Sequence, residues 1–141
     1  MNINKEKLAY LAREYDLSFV ILHGSYARGT QRKDSDIDIA VVSKTKLDFQ
    51  RYFDLNHSFS EIFDDSLKEK ELDFKSLGHA DPLFRYEVVR DGVLLYGNEA
   101  DYEEYKAVSA RMYEDARPLF ELERTLALKY RDHLREKGYD Q

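Results

Sequence analysis

The chain has 141 residues, no cysteine, 22 Lys+Arg against 28 Asp+Glu, and a net charge of −6. That length suits one domain, and the missing cysteines exclude a disulfide scaffold, zinc–thiolate sites and thiol catalysis. The acidic balance argues against general binding to nucleic-acid backbone, and no apolar run approaches the roughly 20 residues of a membrane span.

Met1 to Lys5 runs directly into a charged helical pattern rather than the apolar stretch of a signal peptide. The expected location is therefore the cytoplasm. Residues 3–15 read as a helix with Ile3, Leu8, Leu11 and Ala12 on one face. Phe19-Val20-Ile21-Leu22 is a short apolar run within Ser18 to His23 that stops at Gly24, which reads as a buried strand followed by a turn. Residues from Ser25 to Lys33 are polar and basic. Asp36 to Val42 forms a second strand, whose alternation sets Asp36 and Asp38 on one face and Ile37 and Ile39 on the other.

A helix is expected over 47–63 and a third strand from Lys70 to Leu77, with Leu72 and Phe74 inward and Asp73 opposite. Asp81-Pro82 opens another helix, an acidic N-cap followed by Pro at the first helical position, and Gly92 ends it. Val93 to Gly97 is a short strand, and from about Ala100 to Lys137 the pattern is helical. This order argues for a small α/β domain, with a mixed sheet and helices on one side of it. A core over residues 1–98 is followed by a helical extension over 99–141. That last helix is about 55 Å long at roughly 1.5 Å per residue, more than so small a domain spans, so it should bend near Pro118, split or overhang. Its apolar stripe steps by 3 or 4 from Tyr105 through Val108, Met112, Ala116, Leu119, Leu122, Leu126 and Tyr130 to Leu134. The first half of the stripe should face the core; the second half has little domain left to pack on, so a partner surface or a dimer contact is expected there as much as core.

The chemistry concentrates between Gly24 and Asp38. A phosphate-binding P-loop fails, because Thr30-Gln31 stand where Lys-Ser/Thr are required. A calcium loop of EF-hand type also fails: Asp34, Asp36 and Asp38 fit its first ligand positions, but Ile39 replaces the Gly and Thr45 the bidentate Glu. A nucleotidyl-transfer site fits. Gly24 lets the backbone approach a phosphate, and Ser25 offers a hydroxyl and an N–H. Asp36 and Asp38 face the same way and suit hard divalent cations such as Mg²⁺. Arg28, Arg32 and Lys33 against Asp34 make a basic landing site for a triphosphate in an acidic chain.

Gly24-Ser25, ten residues, then Asp36-Ile37-Asp38 resembles the signature of the nucleotidyltransferases of the DNA polymerase β superfamily, and Ala27-Arg28-Gly29 and Asp34-Ser35 fit it too. The resemblance implies a third carboxylate on a neighbouring strand, for which Asp73 is the candidate. It also implies two Mg²⁺ ions held by Asp36, Asp38 and Asp73, and ATP bound at Gly24, Ser25, Arg28 and Lys33. The short acidic chain, the stretch from Leu83 to Gly97 and the long last helix narrow the likeness to minimal nucleotidyltransferases, specifically the antitoxins of HEPN–MNT toxin–antitoxin pairs. Such proteins transfer AMP from ATP to a tyrosine of the HEPN ribonuclease toxin and neutralise it.

Three functions follow for comparison: an enzyme that adenylylates a HEPN toxin with which it forms a hetero-oligomer, a binding antitoxin without catalysis, and a nucleotidyltransferase acting on a small molecule. Intact Asp36, Asp38 and Asp73 favour the first over the second, and the lack of a pocket-building second domain disfavours the third. Residues 99–141 hold 11 acids against 8 bases, an acidic surface suited to a basic ribonuclease. His23 reads as a strand-end residue, and His57, His79 and His133 have no metal-ligand spacing.

Overall fold

The structure is a computed structural model and describes residues 2–63 and 70–139. Helix α1 (Lys5–Glu14) starts where the Asn4 side chain accepts a hydrogen bond from the Lys7 amide at 3.1 Å, an N-cap that satisfies one of the free donors of the first turn. It buries Leu8, Leu11 and Ala12. Strand β1 (Leu17–His23) follows, and then a short helix, α2 (Gly24–Arg28), where the sequence suggested a turn. Five residues are too few for a readable apolar period, so nothing in the pattern marks this helix.

Strand β2 (Ile37–Ser43), helix α3 (Phe49–Phe59), a 3₁₀ turn over Ser60–Ile62, strand β3 (Leu72–Ser76), helix α4 (Pro82–Asp91), strand β4 (Val93–Tyr96) and helix α5 (Glu99–Glu136) complete the described chain. Asp81 caps α4 by accepting from the Leu83 amide at 2.7 Å, with Pro82 in the first turn, as the sequence indicates. The helix expected over 47–63 is shorter than its apolar pattern, because Asp48 caps it at one end and the 3₁₀ turn takes over at the other.

The four strands are ordered β3-β2-β1-β4. Strand β1 is antiparallel to both β2 and β4, whereas β2 and β3 are parallel, so the sheet is mixed. Alternate residues of the central strands pack into two apolar clusters. Val20, Leu22, Ile37, Ile39 and Phe74 meet α1 and α3, with Phe59 and Leu55 fully buried there. Phe19, Ile21 and Ala40 meet Val88, Val89 of α4 and Tyr102 of α5. Helices thus cover both faces, correcting the one-sided arrangement expected from element order. The reason lies in β1, whose Val20 and Ile21 are both 0 % exposed: a strand apolar on successive residues must be covered twice.

Helix α5 runs unbroken through Pro118 for 38 residues. It packs by its Tyr102 side, with Phe19 and Tyr102 rings edge-on at 5.4 Å and Tyr86 stacked on Tyr113 at 4.7 Å. Tyr102 and Ser109 are its buried residues, while Val108 and Met112 are 43 % and 41 % exposed. Of the expected stripe Tyr105 does pack on the core, at 5.4 Å from Phe19, whereas Val108 and Met112 face outward, so the core-facing side is turned toward Tyr102 and Ser109. Among the described residues no helix is long and apolar enough to cross a membrane.

Candidate active site

The motif residues converge at one end of the central strands. His23 ends β1, and in the β1–β2 ladder it stands opposite Asp38. In the β2–β3 ladder Asp38 stands beside Asp73. His23, Asp38 and Asp73 thus form a row across three neighbouring strands. In each strand the adjoining apolar residues, Leu22, Ile39 and Phe74, turn to the α1/α3 side, so by pleat alternation the row lies on the face covered by α4. The register is what sets Asp73 beside Asp38: one residue of slip would have sent it to the opposite face.

Gly24 is what lets the row close up. Its φ is +71°, and a Cβ there would fall 2.9 Å from the Asp38 Cγ and still closer to Oδ2. The Asp38 carboxylate occupies the space a side chain would need. Helix α2 then turns away from the row, and its left-handed cap, Gly29 at φ +72°, donates its N–H to the Ser25 carbonyl. Ser25 is half-buried at the start of α2. Arg28 is exposed at its end, near enough for its charge to act on Asp38, His23 and Asp91.

Asp36 and Lys33 lie farther out. Asp36 is exposed just ahead of β2, where its charge still reaches Asp38, and Lys33 sits in an exposed turn. Among the described residues no three carboxylate or imidazole side chains draw together closely enough to make a metal centre by themselves. Asp38 and Asp73 are the close pair, with their carboxyls within hydrogen-bonding reach of each other. Burial, then the negative charges of Asp73 and Asp36, push the Asp38 carboxyl above its ordinary range, while Arg28 pulls weakly the other way.

Two residues of the site escape the motif. Lys75 lies two along β3 from Asp73, and its Nζ is 3.6 Å from the Asp73 carboxylate. The signal was available, since residues i and i+2 of a strand share a face. His23, read from the sequence as a strand-end residue, is more deeply involved. Its ring packs edge-on against Phe84 at 6.0 Å, and its Nε2 is buried with no hydrogen-bond partner among the described residues. Burial lowers the imidazole pKa, and Arg28 and Lys75 push the same way against the attraction of Asp73, so the ring is neutral at neutral pH. An unpaired buried nitrogen costs about 1–3 kcal/mol. His23→Phe keeps the ring contact with Phe84 and removes the orphan, so the denaturation midpoint should rise, by about 1 kcal/mol of stability. Because the folded state resists protonating His23, the gain should widen as the pH falls below about 6.5, the ordinary histidine value. A lower midpoint for His23→Phe in urea titrations would mean that Nε2 has a partner in solution.

A cavity of about 730 Å³ lies elsewhere. It lies at the far end of β1, between Leu17, Lys44, Tyr96 and Asp101, and holds none of the motif residues.

A profile described as polymerase beta, nucleotidyltransferase matches residues 6–101. The protein adenylyltransferase MntA of Shewanella oneidensis is 31 % identical over 114 residues, covering 79 % of this chain and 78 % of that protein. Among solved structures, a toxin–antitoxin crystal structure with AMP-PNP superposes with a TM-score of 0.68 at 29 % identity, covering 90 % of this chain and 97 % of the other. The antitoxin chain in a complex of tri-AMPylated Shewanella oneidensis HEPN toxin with MNT antitoxin gives a TM-score of 0.62 at 26 % identity, covering 89 % and 93 %. The matched segment carries all four strands, the Gly24-Ser25 start of α2 and the neighbouring Asp38 and Asp73, and the chain belongs to the polymerase β nucleotidyltransferase family.

Proposed function

We propose that this chain is an antitoxin-type protein adenylyltransferase that transfers AMP from ATP to a tyrosine hydroxyl of a cognate HEPN toxin and so neutralises it. The observation that carries the reading is the row Asp38–Asp73 against Gly24, set in a chain whose relatives include a named protein adenylyltransferase and antitoxins solved with their HEPN toxin. A complex with the toxin, and a cytoplasmic location where ATP is available, belong to the same reading.

Gly24 and Ser25 would take the triphosphate, with the backbone close to the phosphates and Arg28 and Lys33 adding charge from the rim. The toxin hydroxyl attacks the α-phosphorus; a phosphorus–oxygen bond forms to the tyrosine, the bond to pyrophosphate breaks, and the hydroxyl proton passes to the Asp73 carboxylate. Lys75, with its Nζ 3.6 Å from that carboxylate, sets a positive charge beside it. The donor set suits Mg²⁺: hard carboxylate oxygens, two of them adjacent and mutually repelling, beside a phosphate site. Asp36, Asp38 and Asp73 would hold it. When bound it neutralises charge that develops on the phosphates and the leaving pyrophosphate.

The test uses the full chain with its genomic partner, ATP labelled in the α-phosphate, and Mg²⁺. The expected result is label on a partner tyrosine, found by mass spectrometry, with loss of ribonuclease activity. Neutralisation that needs no ATP and survives Asp36→Ala with Asp38→Ala would establish the binding antitoxin instead. Label confined to small molecules would establish the third function.

A further inference from the structure

Strand β3 is an edge of the sheet, paired with β2 on one side only. The Ile37 amide donates to the Glu71 carbonyl and the Leu77 amide to the Val41 carbonyl, each at 2.9 Å. The odd-numbered residues along β3 therefore face β2. Backbone groups alternate in direction along a strand, so the carbonyl of Phe74 points to the free edge. It belongs to the residue that stands between Asp73 and Lys75, the two site residues on this strand. An edge strand of five residues, bonded on one side, opens more readily than the central strands. Asp73 and Lys75 move with it.

Tyr52 closes that edge. It sits in the first turn of α3, which Asp48 caps by accepting from the Arg51 amide at 2.8 Å. Leu55 and Phe59 of the same helix are both 0 % exposed and fix it on the sheet. The Tyr52 hydroxyl donates to the Phe74 carbonyl. Its ring lies against that of Phe74 at 5.3 Å, and Phe74 lies against Phe59 at 5.1 Å. Burial pushes the Tyr52 phenol above its ordinary value, so it remains a donor at neutral pH, and the charges of Lys75 and Asp73 both reach it, in opposite senses. The ring alone would serve the core. The hydroxyl adds one hydrogen bond, and adds it at the residue that separates Asp73 from Lys75.

We infer that Tyr52 is a positioning residue for adenylyl transfer: its hydroxyl locks the free edge of β3, which keeps the Asp73 carboxylate beside Asp38 and Lys75 beside Asp73. Tyr52 touches no substrate and acts through Asp73. The inference rests on the reaction proposed above, in which Asp73 takes the proton of the acceptor hydroxyl.

Tyr52→Phe removes the hydroxyl and keeps the ring. With the full chain, its genomic partner, Mg²⁺ and ATP labelled in the α-phosphate, kcat should fall about 10-fold, short of the roughly 10²-fold cost of a 1 Å misplacement. The KM for ATP should stay within about twofold, because the triphosphate contacts lie at Gly24, Ser25, Arg28 and Lys33. In an Asp73→Asn background the same change should cost less than about twofold, as expected of a group that acts through Asp73. Leu55→Val, a core change on the same helix, controls for lost stability and should leave kcat unchanged. Independently of activity, amide hydrogen exchange over residues 73–77 should quicken at least about 10-fold in Tyr52→Phe while that of β1 holds. A parent chain that labels nothing overturns the adenylyl-transfer reading and the inference with it. An active parent whose kcat is unchanged in Tyr52→Phe, an equal loss in the Asp73→Asn background, or unaltered exchange over β3 overturns the inference alone.

Discussion

Asp38→Asn should reduce AMP transfer by about 10³-fold or more, because a ligand that carries transition-state charge is worth several kcal/mol, and should at the same time raise the melting temperature of the metal-free chain by a few degrees. The two effects have one cause. In the folded state Asp38 is partly buried and faces the like charges of Asp73 and Asp36, which raise its pKa. A carboxylate whose folded pKa lies above the unfolded value of about 3.9 is fully tolerated below that value and costs stability as the pH rises through the folded pKa. At pH 7 the parent bears that cost and the Asn variant does not. The gap in melting temperature should therefore be widest near neutrality and close as the pH falls toward the ordinary aspartate value. Thermal melts from acid to neutral pH in the presence of a chelator measure it. His23 titrates in the same scan, but it is present in both proteins and cancels in the difference. A variant that loses activity and melts below the parent at neutral pH would show that Asp38 is held by favourable contacts rather than by function.

That opposition between stability and activity also explains what the sequence made legible. Gly24-Ser25 and Asp36-Ile37-Asp38 stand out because strand pattern alone does not call for acids at the end of a buried central strand. Asp73 was readable only through the resemblance, and its place beside Asp38 depends on the parallel β2–β3 register, a non-local pairing no periodicity reports. The strands and capped helices were visible for local reasons: Asn4, Asp81 and Asn98 each accept a backbone hydrogen bond at the start of a helix. What escaped was long-range. The double covering of β1 is set by which helices return to which face. The turn of α5 toward Tyr102 depends on ring contacts made across the fold, with Phe19 for Tyr102 and Tyr105 and with Tyr86 for Tyr113. His23 is the strand end that the sequence indicates, but its place opposite Asp38 is set by the β1–β2 register.

Gly24→Ala should be the most damaging change of a single methyl group in the chain. The φ of +71° already disfavours any L side chain by about 1–2 kcal/mol. Beyond that, the new Cβ would meet the Asp38 carboxylate, which can yield only by leaving its place beside Asp73. We expect AMP transfer to fall by at least about 10²-fold, as a misplacement near 1 Å does in a positioned site, with a loss of about 2–4 kcal/mol of stability. Gly29→Ala supplies the control, because Gly29 has nearly the same φ, +72°, but nothing within 4 Å of the added carbon. It should cost the backbone term alone, about 1–2 kcal/mol, and leave most of the activity. The difference between the two alanines isolates the contact with Asp38, and a double-mutant cycle tests that assignment. In Gly24→Ala with Asp38→Ala the obstructing carboxylate is gone, so the double variant should be more stable than Gly24→Ala by itself, a non-additivity expected only for groups in contact. Strict additivity of the two changes in urea unfolding would mean that Gly24 is needed for its backbone conformation and not for the room it leaves to Asp38.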